Sequence, residues 1–552
     1  MPGLLLALSA GGSISAQSPP ASPGRHEAPD VSADPHFGAH FQTSDRCVAC
    51  HNGLSTSGGE DVSIGLGWRT SIMANSGRDP YWMAGVRRET IDHPVAAAAI
   101  EDECTICHMP MMRYESKLAG GAGRVFAHLP PRPDRLADRL ADRLAADGVS
   151  CTVCHQIAPD NLGQRDSFVG GFRIDERTRP GERSIFGPFD VDAGHATVMQ
   201  SSSAFRPVEA AHVRDSELCA TCHTLITQAL DAQGRRVGSL PEQVPYQEWL
   251  HSEFRETRSC QSCHMPAVRG DTPVASVFGE PRAGMARHTF VGGNFFVQRM
   301  LNRFRNDLAV AAPPADMEAA AARTITHLQA ESARLTLPRV ALRDGRLEAT
   351  VAVENLGGHK LPTAYPSRRV WLHVTVRDRE GRTIFESGAL AADGSIQGND
   401  NDADPGRFEP HYQEISDGEE VQVYESVMAG ADGRITTGLL TAVGYAKDNR
   451  LLPRGFDKAG AGADIAVHGE AARDPDFAGG GDQTRYSIAI DRAQGPFQID
   501  AELWYQPIGF RWAMNLKPYD APEPRRFVDY YEAMAGASGV RLAHAAALAD
   551  GR

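Results

Sequence analysis

The sequence predicts a multidomain α+β protein, in which a mostly helical or irregular domain is followed by an antiparallel β-sandwich domain. Three observations support this prediction. All ten cysteines lie before residue 264, hydrophobic residues recur at helical spacing over 295–308, and beyond residue 335 they alternate with polar ones. A period of two is typical of strands and a period near 3.6 of helices. The architecture is therefore expected to change near residue 335.

Five segments are expected along the 552 residues: a signal-like segment and linker (1–33), the cysteine-containing domain (34–310), a connecting helix (311–334), the β-sandwich (335–525) and a C-terminal helical segment (526–552). The first segment has an apolar stretch at 4–8, then small residues and a linker rich in proline, serine and alanine. This order is typical of a secretory signal peptide, although the first basic residue is Arg25. No later window reaches the roughly 20 apolar residues that a membrane-spanning helix needs.

The cysteines share one pattern, Cys-x-x-Cys-His. The five motifs are Cys47, Cys50 and His51; Cys104, Cys107 and His108; Cys151, Cys154 and His155; Cys219, Cys222 and His223; and Cys260, Cys263 and His264. The two-residue gap lets one backbone turn present both thiols to the vinyl groups of a porphyrin, and the histidine becomes the proximal ligand of the iron. Zinc sites and disulfides do not require a histidine after every cysteine pair. The motifs predict five covalently attached c-type haems.

Composition and motif chemistry indicate the compartment and the partners. The formal net charge of −14 argues against a nucleic-acid partner, because nucleic acids bind basic surfaces. Haem is attached to such motifs outside the cytoplasm, so we expect an exported protein, either periplasmic or extracellular at the cell surface. Redox proteins are the expected partners, and surface charge affects how fast they meet.

The remaining elements are predicted from periodicity. The repeat at 134–144 has a leucine every four residues, which predicts a short amphipathic helix with solvated charges. A helix is expected within 288–310, and a second one, capped by Asp316, runs to about Ala333. Alternation predicts strands at 347–353, 370–376, 383–386 and 497–505, and a helical ending is expected at 526–534 and 540–549.

The number of histidines available as sixth iron ligands bears on whether the haems carry electrons or bind a substrate. Fifteen histidines remain after the five proximal ones, and an iron with two imidazoles is saturated, whereas an iron with an open position can bind a substrate. Met199 is an alternative ligand near His195. The candidate sixth ligands in the haem domain are His93, His128, His212 and His288, then His195 and His40, with His36 and His251 ranked below them.

Several strings carry a family resemblance. The segments 216–225, 241–249, 260–266 and 288–294 resemble bacterial multihaem cytochromes c that are distantly akin to the tetrahaem and octahaem cytochromes of nitrogen respiration. Segment 355–363 resembles the Asn-x-x-Gly-His-x-x-Pro-Thr string of the same family. The resemblance covers nearly the whole chain after residue 40 and implies soluble, exported electron transfer. It carries over no catalytic residue.

Two features of the second half have alternative interpretations. His359 follows two glycines at a strand end, where it is either an axial ligand reaching a haem or a turn histidine bonded to its own loop. Residues 398–404 place oxygen-bearing side chains at alternating positions, as calcium loops do, but lack the terminal glutamate of a helix–loop–helix site. That segment is either a Ca²⁺ site or a solvated acidic loop.

The sequence favours an electron carrier with five haems over an enzyme. The alternative is a multihaem oxidoreductase in which one open haem acts on a small nitrogen or sulfur compound. No Cys-x-x-Cys-Lys motif is present, which removes one known route to such a haem. A third interpretation is a homo-oligomer, as a subunit of an extracellular cytochrome polymer with one ligand supplied by a neighbouring chain.

Overall fold

The computed structural model describes residues 38–490 and 492–550, the side chain of Asp138 excepted. The signal-like segment at 1–33 and the candidate ligand His36 lie outside the described residues. The chain is 31 % helical and 23 % strand, so both parts of the α+β prediction are present. We call residues 38–310 the motif half and residues 335–550 the β half.

Helices predominate before residue 335. The α-helices of the described chain are α1 (Asp45–Val48), α2 (Ile64–Arg69), α3 (Pro80–Asp92), α4 (Ala97–His108), α5 (Pro110–Leu118), α6 (Val125–His128), α7 (Pro133–Asp138), α8 (Leu140–Ala146), α9 (Cys151–Cys154), α10 (Ala193–Ser203), α11 (Ser216–Ala220), α12 (Pro245–Leu250), α13 (Cys260–His264), α14 (Phe295–Arg303), α15 (Pro314–Glu331), α16 (Asp400–Ala403), α17 (Phe510–Met514) and α18 (Pro522–Glu532). Side-chain oxygens of Asp79 and Asp192 cap α3 and α10 by accepting backbone N–H bonds.

Longer strands predominate after residue 335. The strands are β1 (Arg183–Gly187), β2 (Phe205–Glu209), β3 (Leu225–Leu230), β4 (Arg236–Gln243), β5 (Thr272–Pro273), β6 (Pro281–Arg282), β7 (Ala333–Arg343), β8 (Arg346–Asn355), β9 (Arg369–Arg377), β10 (Thr383–Ser387), β11 (Glu414–Ile415), β12 (Val423–Tyr424), β13 (Ser426–Gly430), β14 (Ile435–Thr436), β15 (Ala442–Asp448), β16 (Gly481–Ala489), β17 (Phe497–Gln506) and β18 (Val540–Ala549). Strands β8, β9, β10 and β17 confirm the four strand predictions made from alternation.

Two sheets form the centre of the β half. One has the order β10-β9-β17-β18, with β12 also paired to β9, and the other has the order β11-β16-β8-β7. Buried residues of both sheets belong to one hydrophobic core. Strand β8 alternates between buried and half-buried residues, whereas the central strand β9 is buried on both faces. The pairing of β11 with β16 is parallel over two residues, and the other pairings of these two sheets are antiparallel, as predicted.

The C-terminal prediction was wrong in its second part. Helix α18 lies in the predicted helical region, but 540–549 is the strand β18, which pairs antiparallel with β17 along its length. The segment is rich in alanine, a strong helix former. The ladder to β17 satisfies its backbone groups, so tertiary pairing overrides local propensity.

Two further local predictions were wrong. The repeat at 134–144 is divided between α7 and α8, because the backbone is extended at Arg139 (φ −115°, ψ 113°). Its charges are not all solvated: the side chain of Asp142 is 2 % exposed and accepts hydrogen bonds from His128 and Arg135. In α15, Asp316 lies in the first turn and pairs with Arg69 rather than capping the helix.

A buried polar network joins the two halves. Glu248 of α12, fully buried, accepts hydrogen bonds from the backbone N–H of Lys360 at 3.0 Å and the hydroxyl of Thr363 at 2.6 Å. Arg450 forms an ion pair with the same carboxylate at 3.1 Å. Asp448 in turn pairs with both Lys360 and Arg450. The loop that contains His359 is thereby held against α12.

In the part of the chain that the structure describes, no helix is both long and apolar enough to cross a membrane.

Candidate cofactor site

One continuous cavity collects the five motifs. Its volume is about 1630 Å³, and its wall includes all ten cysteines and the five histidines that follow them. The cysteines form no disulfides, and each is half-buried. Fifteen residues dispersed along more than 200 positions therefore converge on one interior space.

Short helices present the thiols to this space. Four motifs occupy or adjoin single helical turns, and the second ends the longer helix α4. Because residues three apart lie on the same face of a helix, both cysteines of each pair point to one side. The helices concerned are α1, α4, α9, α11 and α13.

Four of the five proximal histidines share a hydrogen-bonding arrangement. Since a carbonyl oxygen only accepts, each bonded Nδ1 must carry the proton, which leaves a lone pair on Nε2 for a metal. A hydrogen bond of this kind orients the ring of a metal-binding histidine, as is expected of a haem ligand. The Nδ1 atoms donate to backbone carbonyls as follows: His51 to Val274 at 2.6 Å, His108 to Ser76 at 3.1 Å, His155 to Phe186 at 2.6 Å and His264 to Val291 at 2.5 Å.

Burial favours the neutral form of four motif histidines, namely His108, His155, His223 and His264. Desolvation lowers the pKa of His108 and of His264 to about 4, and it also lowers the pKa of His155 and His223. At neutral pH these rings are therefore uncharged. The neutral ring is the form that ligates a metal ion.

The motifs are not arranged in chain order. The thiol of Cys47 lies against that of Cys151, so the first motif adjoins the third. The side chain of Asp147 strengthens this junction, because it accepts hydrogen bonds from Ser44 and Ser150, which flank the two motifs.

The fourth motif occupies the centre of the array. Its Cys219 lies against Cys260 of the fifth motif, and its Cys222 lies against Cys107 of the second. Cys154 of the third motif is close to both Cys219 and Cys222. The order in space is therefore first, third, fourth, with the second and fifth motifs both adjoining the fourth.

Two predicted sixth ligands face proximal histidines. The ring centroids of His155 and His288 are 6.2 Å apart with an interplanar angle of 20°, and those of His264 and His359 are 6.2 Å apart at 13°. Two metal–nitrogen bonds of about 2 Å, plus about 1.2 Å from each nitrogen to its ring centroid, amount to about 6.4 Å. Each pair is therefore spaced for one iron between its rings.

The distal rings also present a free Nε2. Nδ1 of His288 donates to the Ala286 carbonyl at 3.0 Å, and Nδ1 of His359 donates to the Lys360 carbonyl at 3.0 Å. Both histidines line the cavity. The residues present thus fit haem c in thiols, proximal nitrogens and, for two motifs, a second imidazole at a suitable spacing.

His93 is buried without hydrogen-bond partners. Neither of its ring nitrogens makes a hydrogen bond, and the nearest carboxylate oxygen, of Glu89, is 3.9 Å away. An unsatisfied buried polar group costs about 1–3 kcal/mol. A metal bond would satisfy one of these nitrogens, so the ligand prediction for His93 is retained.

The other candidate ligands differ in how their nitrogens are used. Nδ1 of His40 contacts Glu115 at 3.2 Å and Nδ1 of His128 contacts Asp142 at 2.7 Å. Each arrangement resembles the carboxylate–histidine pairs that orient metal-binding imidazoles. Ligation by His40 and by His128 stays a prediction.

His195 and His212 are engaged differently. His195 lines the cavity, but its Nδ1 is hydrogen-bonded to Asp192 and its Nε2 donates to the Phe278 carbonyl. Nε2 of His212 donates to the Ile157 carbonyl at 2.8 Å. Ligation through Nε2 would require either ring to give up this bond, so both remain predictions. Met199 also lines the cavity.

The sequence analysis did not identify His327. This residue lies on α15, outside the predicted haem domain, and its ring centroid is 6.2 Å from that of His264. Thr324 and Leu328 of the same helix also line the cavity. The spacing i, i+3, i+4 was a usable signal, because these positions share a helix face.

The loop proposed for calcium has its carboxylates paired with arginines. Asp402 accepts two hydrogen bonds of 2.8 Å from Arg369, and Asp400 pairs with Arg407 at 2.6 Å. Asn399 caps α16. The carboxylates are thus neutralised within the chain, which argues against the Ca²⁺ interpretation of this loop.

A second group of possible cation ligands is also explained by protein hydrogen bonds. His411, Asp474 and Asp482 are buried close together. Nδ1 of His411 accepts from the amides of Gln422 and Asn449, both at 3.1 Å, and backbone N–H groups fix the orientation of both amides. The proton must therefore lie on Nε2, which donates to Asp474 at 3.2 Å. A nitrogen so used is not free to ligate a cation.

Comparison with known proteins agrees with this geometry at the level of fold. No protein-family model matches the chain, and no curated protein matches it. Among solved structures, the fold has a counterpart in the multihaem cytochromes c. That counterpart is a penta-heme cytochrome c552 from Thermochromatium tepidum, with a TM-score of 0.51 and 16 % identity. The match covers 92 % of this chain and 99 % of the other, so it extends over both halves.

Proposed function

We propose that the protein is an exported multihaem c-type cytochrome that carries electrons through five covalently attached haems. The observation that supports this proposal most strongly is the single cavity lined by all ten motif cysteines and all five motif histidines. The fold shared with a penta-heme cytochrome c552 is consistent with it.

The arrangement of the motifs supports transfer of electrons from one haem to the next rather than storage of electrons at isolated haems. When bound, haem supplies reversible one-electron chemistry at iron. Thiols of neighbouring motifs lie against each other, so haems bound at these motifs would lie close together within one cavity. The fourth motif connects the second, third and fifth.

The facing histidines support a carrier over an enzyme. His288 faces His155, and His359 faces His264, at a spacing that suits one iron in each pair. Two imidazoles leave no position for a substrate. We therefore infer that the irons at the third and fifth motifs would be saturated. If the protein is instead an enzyme with one open haem, that haem belongs to the first, second or fourth motif.

The β half has a structural role in this proposal. We infer that 335–525 forms a β-sandwich, since two sheets share one core and no cysteine lies beyond Cys263. Through the loop after β8 it supplies His359 and closes the cavity, and Glu248 holds that loop in place. The proposed location is the periplasm or the cell surface, with redox proteins as partners.

The proposal is tested by haem stoichiometry. The full chain, exported in a host with cytochrome c maturation, is expected to exceed its cleaved polypeptide mass by five haem masses. Replacing Cys260 and Cys263 together with serine should reduce the number by one. As a matched control, His373→Ala should leave it at five, because His373 lies on β9 between Glu386 and Glu502.

Fewer than five haems at full maturation, or no loss in the double-cysteine variant, would contradict the proposal. Carbon monoxide binding by the reduced protein separates carrier from enzyme. A carrier binds little of it, whereas an enzyme with one open haem binds one molecule per chain.

A further inference from the structure

Two histidines lie near the same proximal histidine. The ring centroids of His327 and His359 are each 6.2 Å from that of His264, and all three rings line the cavity. An iron held by His264 has only one other axial position. One of the two histidines is therefore in excess.

His359 is the more firmly held of the two. Its ring is inclined by 13° to that of His264, and its Nδ1 is hydrogen-bonded to the Lys360 carbonyl. Its own carbonyl accepts a 2.8 Å bond from Asn355, and the next N–H donates to Glu248 of α12. Both halves of the molecule thus hold this ring, with Nε2 as the free nitrogen.

His327 is held by its helix alone. It is half-buried on α15, its ring is inclined by 55° to that of His264, and the helix is anchored by the bond from Thr324 to Gln298 at 2.9 Å. Within residues 38–490 and 492–550, neither ring nitrogen makes a hydrogen bond. The imidazole is therefore not committed to another group, and a rotation of its side chain costs no bond.

We propose that His327 is a reserve axial ligand for the iron held by His264 and binds it when His359 is withdrawn. The inference rests on the proposed function, since it assumes a haem at the fifth motif. The exchange breaks one iron–nitrogen bond and forms another without changing the oxidation state. Because the two ligands come from α15 and from the loop after β8, a displacement between these elements would exchange imidazoles without opening the iron.

The test uses the matured full chain and four variants: His359→Ala, His327→Ala, the double variant of both, and His288→Ala as the control with a single facing histidine. His288→Ala should turn one iron in five high-spin and bind one carbon monoxide per chain. His359→Ala should stay low-spin and bind little carbon monoxide, while its electron paramagnetic resonance signal shifts because the ligand planes have changed. His327→Ala should resemble the wild type, and the double variant should open one iron.

Two outcomes would overturn the inference. Opening of one iron by His359→Ala alone, to the extent seen for His288→Ala, would show that His327 does not bind. A double variant that stays closed would show that another residue is the reserve ligand. If His359→Ala does not fold, His359→Gln retains a side chain of similar size and gives the same comparison.

These results can be told apart from a failure of the proposed function. Intact mass reports the number of haems in every variant, independently of the ligands. A chain with five haems whose His359→Ala variant opens an iron contradicts only the reserve role of His327. A chain without five haems contradicts the proposed function itself.

Discussion

The motif half and the β half bury their side chains against different partners. In the motif half, helices α1, α10 and α13 have no buried residue, although they lie at or beside the cavity. In the β half, all but two of the nine residues of β9 are buried. The motif half does have a conventional core, which includes Met83, Met109, Met111 and Met112, but the motif helices α1 and α13 contribute no buried residue to it.

This difference predicts which half depends on a cofactor. A sheet buries its side chains against another sheet, so the β half completes its core from polypeptide alone. The motif helices face a cavity of about 1630 Å³, and an apolar space of this size is unfavourable unless a ligand fills it. Covalently bound porphyrins would supply the missing contacts.

The largest expected effect comes from withholding haem. Without maturation, the motif half should lose its fold while the β half keeps its sheets, because binding of a cofactor to the native state is part of its stability. Limited proteolysis should cut within 38–310 and spare 335–550, and circular dichroism should retain a strand signal. The matured protein is the control. Equal digestion of both halves would contradict the prediction that only the motif half needs haem to fold.

A fragment experiment sharpens the boundary of the β half. We expect residues 335–552 to fold as a colourless, strand-rich protein, and residues 311–552 to be more stable. The longer fragment adds α15, which packs on β7 and β18 and buries Met317 and Leu328. Burial of two such side chains contributes about 3–5 kcal/mol, measurable by urea unfolding. If neither fragment folds while the mature protein is stable, the β half is not self-sufficient.

A buried ion pair should matter more within the β half than an exposed one nearby. Arg369 and Asp402 are both nearly inaccessible, so Arg369→Ala leaves a buried carboxylate unpaired and should cost about 3–5 kcal/mol of unfolding free energy. Arg407→Ala removes the exposed partner of Asp400 and should cost less than about 1 kcal/mol. Denaturant midpoints with unchanged slopes would measure both. Similar losses of unfolding free energy in the two variants would contradict the expectation that the buried ion pair contributes more to stability than the exposed one.

The β half should also show a pH-dependent stability that originates at Asp482. Burial raises the pKa of this carboxyl group to about 7, so the folded state holds a proton that the unfolded state releases near pH 3.8. Stability should therefore fall as pH rises from about 4 to 7, by about 1.4 kcal/mol for each unit of pKa shift. Asp482→Asn should reduce this slope, since an amide still accepts the bond from Tyr424. An unchanged slope in unfolding experiments would show that another group titrates.

Local patterns predicted much of the secondary structure. The strand at 370–376 was evident from alternation and is β9, and the helix within 288–310 is α14. The predictions failed where contacts with residues distant in sequence determine the local structure or the burial of a side chain. The alanine-rich segment 540–549 is a strand because β17 lies beside it, and Asp142 is buried because His128 and Arg135 reach it.

The histidines show the same limit within the site. His288 and His359 were identified from the need for sixth ligands, but nothing local indicated which proximal histidine each would face. His327 was missed because its helix was assigned to a connection between domains. Pairing of rings across 133 and 95 positions (288 − 155 and 359 − 264) depends on chain topology, which periodicity does not encode.

The sequence alone predicted the cofactor chemistry, because two thiols and a histidine within five residues have the pattern of a haem-attachment motif whatever the rest of the chain does. It also determined the change from helical to strand periodicity near residue 335. Only the tertiary structure decided that the five motifs share one cavity, that the fourth lies between the second, third and fifth, and that His327 and His359 both lie 6.2 Å from His264. The physical reason is sequence separation. Motifs and hydrophobic periods are properties of neighbouring residues, whereas cavities and ring pairs arise where segments distant in sequence pack together.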